Sequence, residues 1–331
     1  MSRFSALIGL LSIAAITFAG CGVKRQPQPA VSETRLLLDT VCTVTVYEPR
    51  DRALVTGALD LCAEYEQTFS VAIEGSDIWR INHARGEAVT ISAQTAEMIS
   101  IGLDFGRLSD GMFDITIGRL SSLWNFKGDP AVPDAGDIRA AIGTVDYRVV
   151  VLSGETVQLR DPEATLDTGG VAKGYIADKL ADYLKERGVK SALIDLGGNV
   201  VTVGEKADGN MWRVGVRKPF GENGELLGVI ETGEASVVTS GIYERQFESG
   251  GRVYHHILDP KTGMPAVSDV VSATVLTENS AAGDALSTIL VLAGSERAAE
   301  LTGETPGFIG AVLALSSGEV ILLGEVNFRS A

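Results

Sequence analysis

The chain of 331 residues is poor in cysteine, histidine, aromatic residues and positive charge, and each shortage removes something. Three cysteines cannot make a disulfide framework. Two of them, Cys42 and Cys62, sit in apolar stretches, where they can pair in an oxidising compartment or act as plain core residues. They offer no metal centre. Only three histidines are present, two of them adjacent at His255 and His256. Lysine and arginine total 28 against 43 aspartates and glutamates, a net charge of −15, which argues against a nucleic-acid partner. An acidic protein still binds an anionic cofactor where a metal ion and local basic groups handle the phosphates. There is no low-complexity tract, no internal repeat and no proline- or glycine-rich linker inside the body, which reads as one domain.

The long apolar run lies at the start. Met1-Ser2-Arg3 gives one positive charge, and Phe4 to Gly20 is apolar, the layout of an export signal. It is too short for a comfortable membrane span. Thr17-Phe18-Ala19-Gly20-Cys21 resembles a bacterial lipobox, in which Cys21 is lipidated and begins the mature chain. The stretch that follows, GVKRQPQPAVSET, is polar and suits a flexible tether. The expected organisation is a signal peptide over 1–20, a lipidated tether over 21–35 and a catalytic domain over 36–331. A lipid would hold the enzyme on a bacterial membrane, facing the periplasm, without crossing the bilayer.

In the body, Thr40 onward alternates with valine and threonine and predicts a strand. Apolar spacing predicts helices over 51–69, from an N-cap at Ser92 to Leu108, over 173–187 and over 280–293. Ser191 to Val203 predicts a strand interrupted by Gly197-Gly198, and Gly310 onward a closing hairpin. Strands and helices mix without regular βαβ alternation, so the expected class is α+β, with mixed sheets and helices.

Five segments carry chemistry: GMFDITIGRLSSLWNFKG from Gly111, TLDTGGVAKGYIAD from Thr165, ALIDLGGNVVTVG from Ala192, TSGIYERQFESGGRVYHHILDPKTGMP from Thr239, and NSAAGDALST from Asn279. In the last, Asp284 and Thr288 are four apart on a helix, so a carboxylate and a hydroxyl face the same way. Both can reach one hard cation such as Mg2+, which takes its other oxygens from water and substrate phosphates. In the second, a helix starting near Val171 presents free N–H groups to a phosphate, and Lys173 can neutralise it. The Gly-Gly pair also reads as an ordinary turn, and neither the Walker nor the Rossmann pattern is matched. Adjacent strand residues point to opposite faces, so one of His255 and His256 is expected to face a pocket and the other solvent. Asp259 to Gly263 reads as a turn.

Taken together, LDTGGVAKGYIAD, IDLGGNV, TSG…YHHILDPKTGMP and GDALST resemble the ApbE family of FAD:protein FMN transferases, in the family's order and over nearly the whole body. The resemblance implies an FAD cleft and roles for matched positions. Asp167 and Lys173 would contact FAD, and His256 would lie against the flavin nucleotide. Met112, Phe113 and Asp114 would line the pocket. The Gly170 carbonyl, Asp284 and Thr288 would hold Mg2+. The turn at Leu38 falls where the family makes its first FAD contact, usually through methionine. Ala72 falls where it has a flavin-stacking tyrosine, with Trp79 or Phe69 as compensating rings.

The implied reaction moves FMN from FAD to a threonine or serine hydroxyl of an acceptor protein and releases AMP, with Asp284 or His256 taking the proton. A membrane redox subunit is the implied acceptor. Attack by water instead would make a FAD pyrophosphatase, and loss of chemistry a flavin-binding lipoprotein.

Overall fold

The computed structural model describes residues 29–126 and 128–331. The export signal, Cys21 and the tether up to residue 28 lie outside the described residues.

The chain runs β1 (Val31–Leu37), β2 (Thr40–Glu48), α1 (Arg52–Phe69), α2 (Asp77–His83), β3 (Val89–Thr90), α3 (Ala93–Leu108), α4 (Gly118–Trp124) and α5 (Ala135–Ile142). It continues through β4 (Val150–Ser153), β5 (Thr156–Leu159), α6 (Ala172–Glu186), β6 (Ser191–Leu196), β7 (Asn199–Gly204), β8 (Trp212–Arg217), β9 (Leu226–Thr232) and β10 (Ser236–Gly241). The last part is β11 (Gln246–Ser249), β12 (Arg252–His255), β13 (Val270–Thr277), α7 (Ser280–Ala293), α8 (Ser295–Gly303), β14 (Phe308–Leu315), β15 (Val320–Gly324) and β16 (Asn327–Ser330).

An eight-stranded antiparallel sheet, in the order β1-β2-β6-β7-β10-β13-β14-β15, forms the centre. Helices α1, α6 and α7 lie against it. On its other side, β16-β9-β8 packs Val214, Val216 and Ile230 against Val237, Leu276 and Val312 of the large sheet. Covered from both sides, β13 is buried at every position. A smaller core around Leu120, Trp124, Ile138 and Leu258 joins α4 and α5 to the segment after the β11-β12 hairpin. The class is α+β, as expected.

The four helices expected from the sequence are present as α1, α3, α6 and α7, whereas the short helices α2, α4, α5 and α8 were not expected. Asp51 caps α1 by accepting from the Ala53 N–H, Ser92 caps α3 and Asn279 caps α7. Two segments differ. Residues 31–35, assigned to the tether, form most of β1, from Val31 opposite Val46 to Arg35 opposite Cys42. Their polar character is that of an edge strand with a solvated face: Ser32 bonds Thr45 at 2.8 Å, and Thr34 bonds Thr43 at 2.9 Å, hydroxyl to hydroxyl. The Ser191 to Val203 segment is two strands, because Gly197 and Gly198 turn the chain with φ of 64° and 97°. A Cβ at Gly197 would stand 2.1 Å from Thr40 Oγ1, so this turn also needs glycine to pass the β1-β2 turn.

Candidate active site

The centre of the site is the meeting of two helix starts. Val171, the residue before α6, gives no side-chain cap, so the first-turn N–H groups of α6 look elsewhere for acceptors. One finds Asp284 of α7: the Gly174 N–H donates to Asp284 Oδ2 at 3.0 Å, and Lys173 Nζ donates to Oδ1 at 3.2 Å. Asp284 is 3% exposed, so this carboxylate is held out of water by a cation and a backbone amide. Gly174 is required here, since a Cβ would lie 2.2 Å from the Ser280 carbonyl oxygen. One turn further along α7, Thr288 Oγ1 leans back on the Asp284 carbonyl oxygen at 3.4 Å and meets Ser240 Oγ of β10 at 3.2 Å. Ser240 also meets Ser287 Oγ at 2.8 Å.

The turn before α6 is shaped by Asp167. Its Oδ1 accepts from the Gly169 N–H at 2.9 Å and its Oδ2 from Ser121 Oγ of α4 at 2.7 Å. Gly170 follows with no room for a side chain, because a Cβ would stand 2.7 Å from the ring of Phe113. Phe113 is thereby tied to the turn that precedes Lys173. Asp114 is buried and spends its carboxylate on its own loop, accepting from the Thr116 N–H and hydroxyl and from the Tyr147 N–H at 2.6–2.8 Å. Burial pushes its pKa up despite those bonds. Met112 Sδ is met by Arg297 at 3.6 Å.

His256 stands near the same cation. Burial is the largest force lowering its pKa to about 4, with Arg245, His255 and Lys173 adding to it. Its Nδ1 is buried without a hydrogen-bond partner. The ring is therefore neutral at pH 7 and keeps an unused nitrogen. The expectation that one histidine of the pair faces solvent does not hold for His255. That residue is 7% exposed, with Nε2 against the Ala266 carbonyl oxygen at 3.1 Å, because the segment to Ala266 folds over it. The Asp259 turn is as expected: Oδ1 accepts from the Lys261 N–H and Oδ2 from the Thr262 hydroxyl.

Leu38 and Ala72 gather at the C-terminal end of α1. Leu38 and Asp39 form the two-residue β1-β2 turn with φ of 55° and 56°, a conformation costly for residues other than glycine. Glu66 Oε1 in the last turn of α1 accepts from the Leu38 N–H at 2.6 Å. Ala72 is exposed, in a loop whose Ser70 Oγ accepts from the Ala72 and Ile73 N–H groups. Neither compensating ring stands free: Phe69 is buried against Tyr65 and Tyr175, and Trp79 stacks on His83 at 3.9 Å. Behind Leu38, Cys42 and Cys62 are free, buried thiols in contact.

A cavity of about 540 Å³ opens along Tyr175, Asp178, Asp182 and Ala281, and neither Lys173 nor Asp284 lines it. Sequence reading missed Ser287, the neighbour of Thr288 on α7, and Ser240, which only the packing of β10 against α7 brings to both. Ser240 lies in the TSG segment and Ser287 in GDALST, but neither segment showed that the two hydroxyls meet.

The sequence profile of the ApbE family matches residues 38–313. This chain belongs to the ApbE family. It is 37% identical over 303 residues to a FAD:protein FMN transferase of Klebsiella pneumoniae, covering 90% of this chain and 93% of that protein. It is 35% identical over 321 residues to one of Treponema pallidum, covering 91% and 88%. The ApbE protein of Thermotoga maritima superposes with a TM-score of 0.80 at 29% identity, over 89% of this chain and 97% of that one. The flavin transferase ApbE of Vibrio cholerae gives 0.76 at 26%, over 92% and 98%. Within the ApbE fold, then, the paired starts of α6 and α7 sit inside the matched region and carry Lys173, Asp284 and Thr288 together.

Proposed function

We propose that this ApbE-family chain is an Mg2+-dependent FAD:protein FMN transferase. The observation that carries the reading is the buried Asp284 carboxylate facing Lys173 at the start of α6. No cluster of three or more His, Cys, Asp or Glu side chains suited to a metal occurs among the described residues. A single carboxylate, the Thr288 hydroxyl and the Gly170 carbonyl nevertheless fit Mg2+, which accepts few protein oxygens and completes its shell with water and phosphate. Bound there, the ion would polarise the FAD pyrophosphate and stabilise the departing AMP.

The chain's own groups do the rest. Lys173, at the start of α6, brings a positive charge to the phosphates. The acceptor's hydroxyl oxygen forms the new bond to the FMN phosphorus, and the bond to AMP breaks with its electron pair. The proposed acceptor of the hydroxyl proton is His256, a neutral ring with a nitrogen that has no hydrogen-bond partner. The acceptor is a protein presenting a threonine or serine, with a membrane redox subunit as the proposed source. We further propose lipidation at Cys21 and a periplasmic site of action, supported by the apolar run and the small residues before that cysteine.

The test incubates the body from residue 29 onward with FAD, Mg2+ and a flavin-acceptor domain. An FMN-sized mass increase on the acceptor is expected, lost on chelation and reduced about a thousandfold in rate in Asp284→Ala, as loss of a metal worth several kcal/mol predicts. Free FMN and AMP without acceptor labelling would instead make it a pyrophosphatase, consistent with the exposed Ala72. No FAD turnover would leave only flavin binding.

A further inference from the structure

One carboxylate of the same helix pair has no part in that chemistry. Asp178, half-buried on α6, accepts from the Ser280 N–H at 2.6 Å with one oxygen and from the Ala281 N–H at 2.9 Å with the other. The third N–H of α7, on Ala282, goes to the Asn279 side chain at 3.1 Å. Asn279 alone is an ordinary cap. The two further acceptors come from α6, and they make the start of α7 a junction between helices. The exchange is mutual, because Asp284 of α7 accepts from the Gly174 N–H of α6. Each helix gives a second-turn carboxylate to the other's first turn, and the backbones touch at Gly174 and Ser280.

Sliding α7 along α6 by one residue is a rise of about 1.5 Å. That would stretch all three cross-helix bonds past useful length. We infer that Asp178 is a positioning residue for the metal-bearing carboxylate: it locks α7 in register on α6, and so holds Asp284 and Thr288 toward the turn at Gly170 and Lys173. This rests on the metal reading above. The position is held against an electrostatic cost. Burial pushes the Asp178 pKa up to about 6 although its two backbone bonds pull it down, with Asp182 adding to the rise and Lys179 opposing it. A cap needed only for helix stability would not require a carboxylate there.

The test uses Mn2+ as the probe metal, read by electron paramagnetic resonance on protein with ADP as a non-reacting pyrophosphate. Asp178→Asn is expected to weaken Mn2+ binding about 10- to 100-fold, the usual effect of removing a group that orients a ligand. Metal-free FAD binding should stay unchanged. Asn279→Ala removes a cap on the same turn without touching α6, and should cost thermal stability while leaving Mn2+ affinity at the wild-type level. Asp178→Glu serves if the asparagine variant does not fold. Unchanged Mn2+ affinity at position 178, or equal weakening in Asn279→Ala, overturns the inference. If Asp284→Ala binds Mn2+ as wild type does, the metal reading itself fails, and this inference with it.

Discussion

The helix starts around Asp284 and the loop around Ala72, proposed above to face the phosphate and the flavin end of FAD, are built in opposite ways. At the phosphate end, a buried carboxylate, a lysine and backbone amides from two helices are bonded across elements far apart in sequence. At the flavin end, residues 70–76 are mostly exposed and are held largely by their own serines. The difference teaches where the fold invests its rigidity. Charge stabilisation needs groups fixed before substrate arrives, whereas a flat ring needs only a surface to lie on.

The hardest blow to the rigid end is Gly174→Ala. The new methyl would strike the Ser280 carbonyl, so the helices must separate. A loss of about 1–3 kcal/mol, as overpacking gives, is expected in a urea melt, together with most of the turnover of the folded protein. Wild-type activity in that variant would break the comparison, by showing that the helix contact is not needed. Acid sharpens it next. His256 titrates at about 4 in the folded protein, below the ordinary value of ~6.5. Between those values the unfolded chain takes up a proton that the folded one does not. Stability therefore falls as pH drops through the window, by on the order of 3 kcal/mol. His256→Gln lacks that loss, and its melting temperature should fall less than wild type's between pH 7 and 4. Asp178, raised to about 6, acts with the opposite sign: its contribution is lost as pH rises from ~3.9 to about 6, and the His256 substitution leaves it in place. The smallest effect belongs to the loose end. Ala72→Tyr should tighten FAD binding by about 0.5–1.5 kcal/mol through ring stacking, read by flavin fluorescence, with the melting temperature unmoved.

Much of this was legible in the chain itself, for physical reasons that differ by element. Ser280 to Ala293 has a side-chain cap before it, a glycine after it and apolar spacing throughout, and the helix has those bounds. Asp284 and Lys173 stood out as charged groups in apolar or glycine-rich turns. What brings them together is tertiary, and so are the parts that were missed. Nothing in YIAD shows that Asp178 serves a helix a hundred residues away. One histidine of the 255–256 pair was expected to face solvent because strand alternation says nothing of a segment that folds back over His255. Val31 to Arg35 looked like tether because an edge strand with one wet face has the composition of a linker until its partner, β2, is known.

Helix beginnings are ordinarily where a helix frays, since their amides lack partners within it. Here the amides of Gly174, Ser280 and Ala281 are bonded across the pair, so neither end can loosen alone. The two starts form one cooperative opening unit. A fluctuation that draws the two helix starts apart breaks the bonds of Asp284 and of Asp178 together.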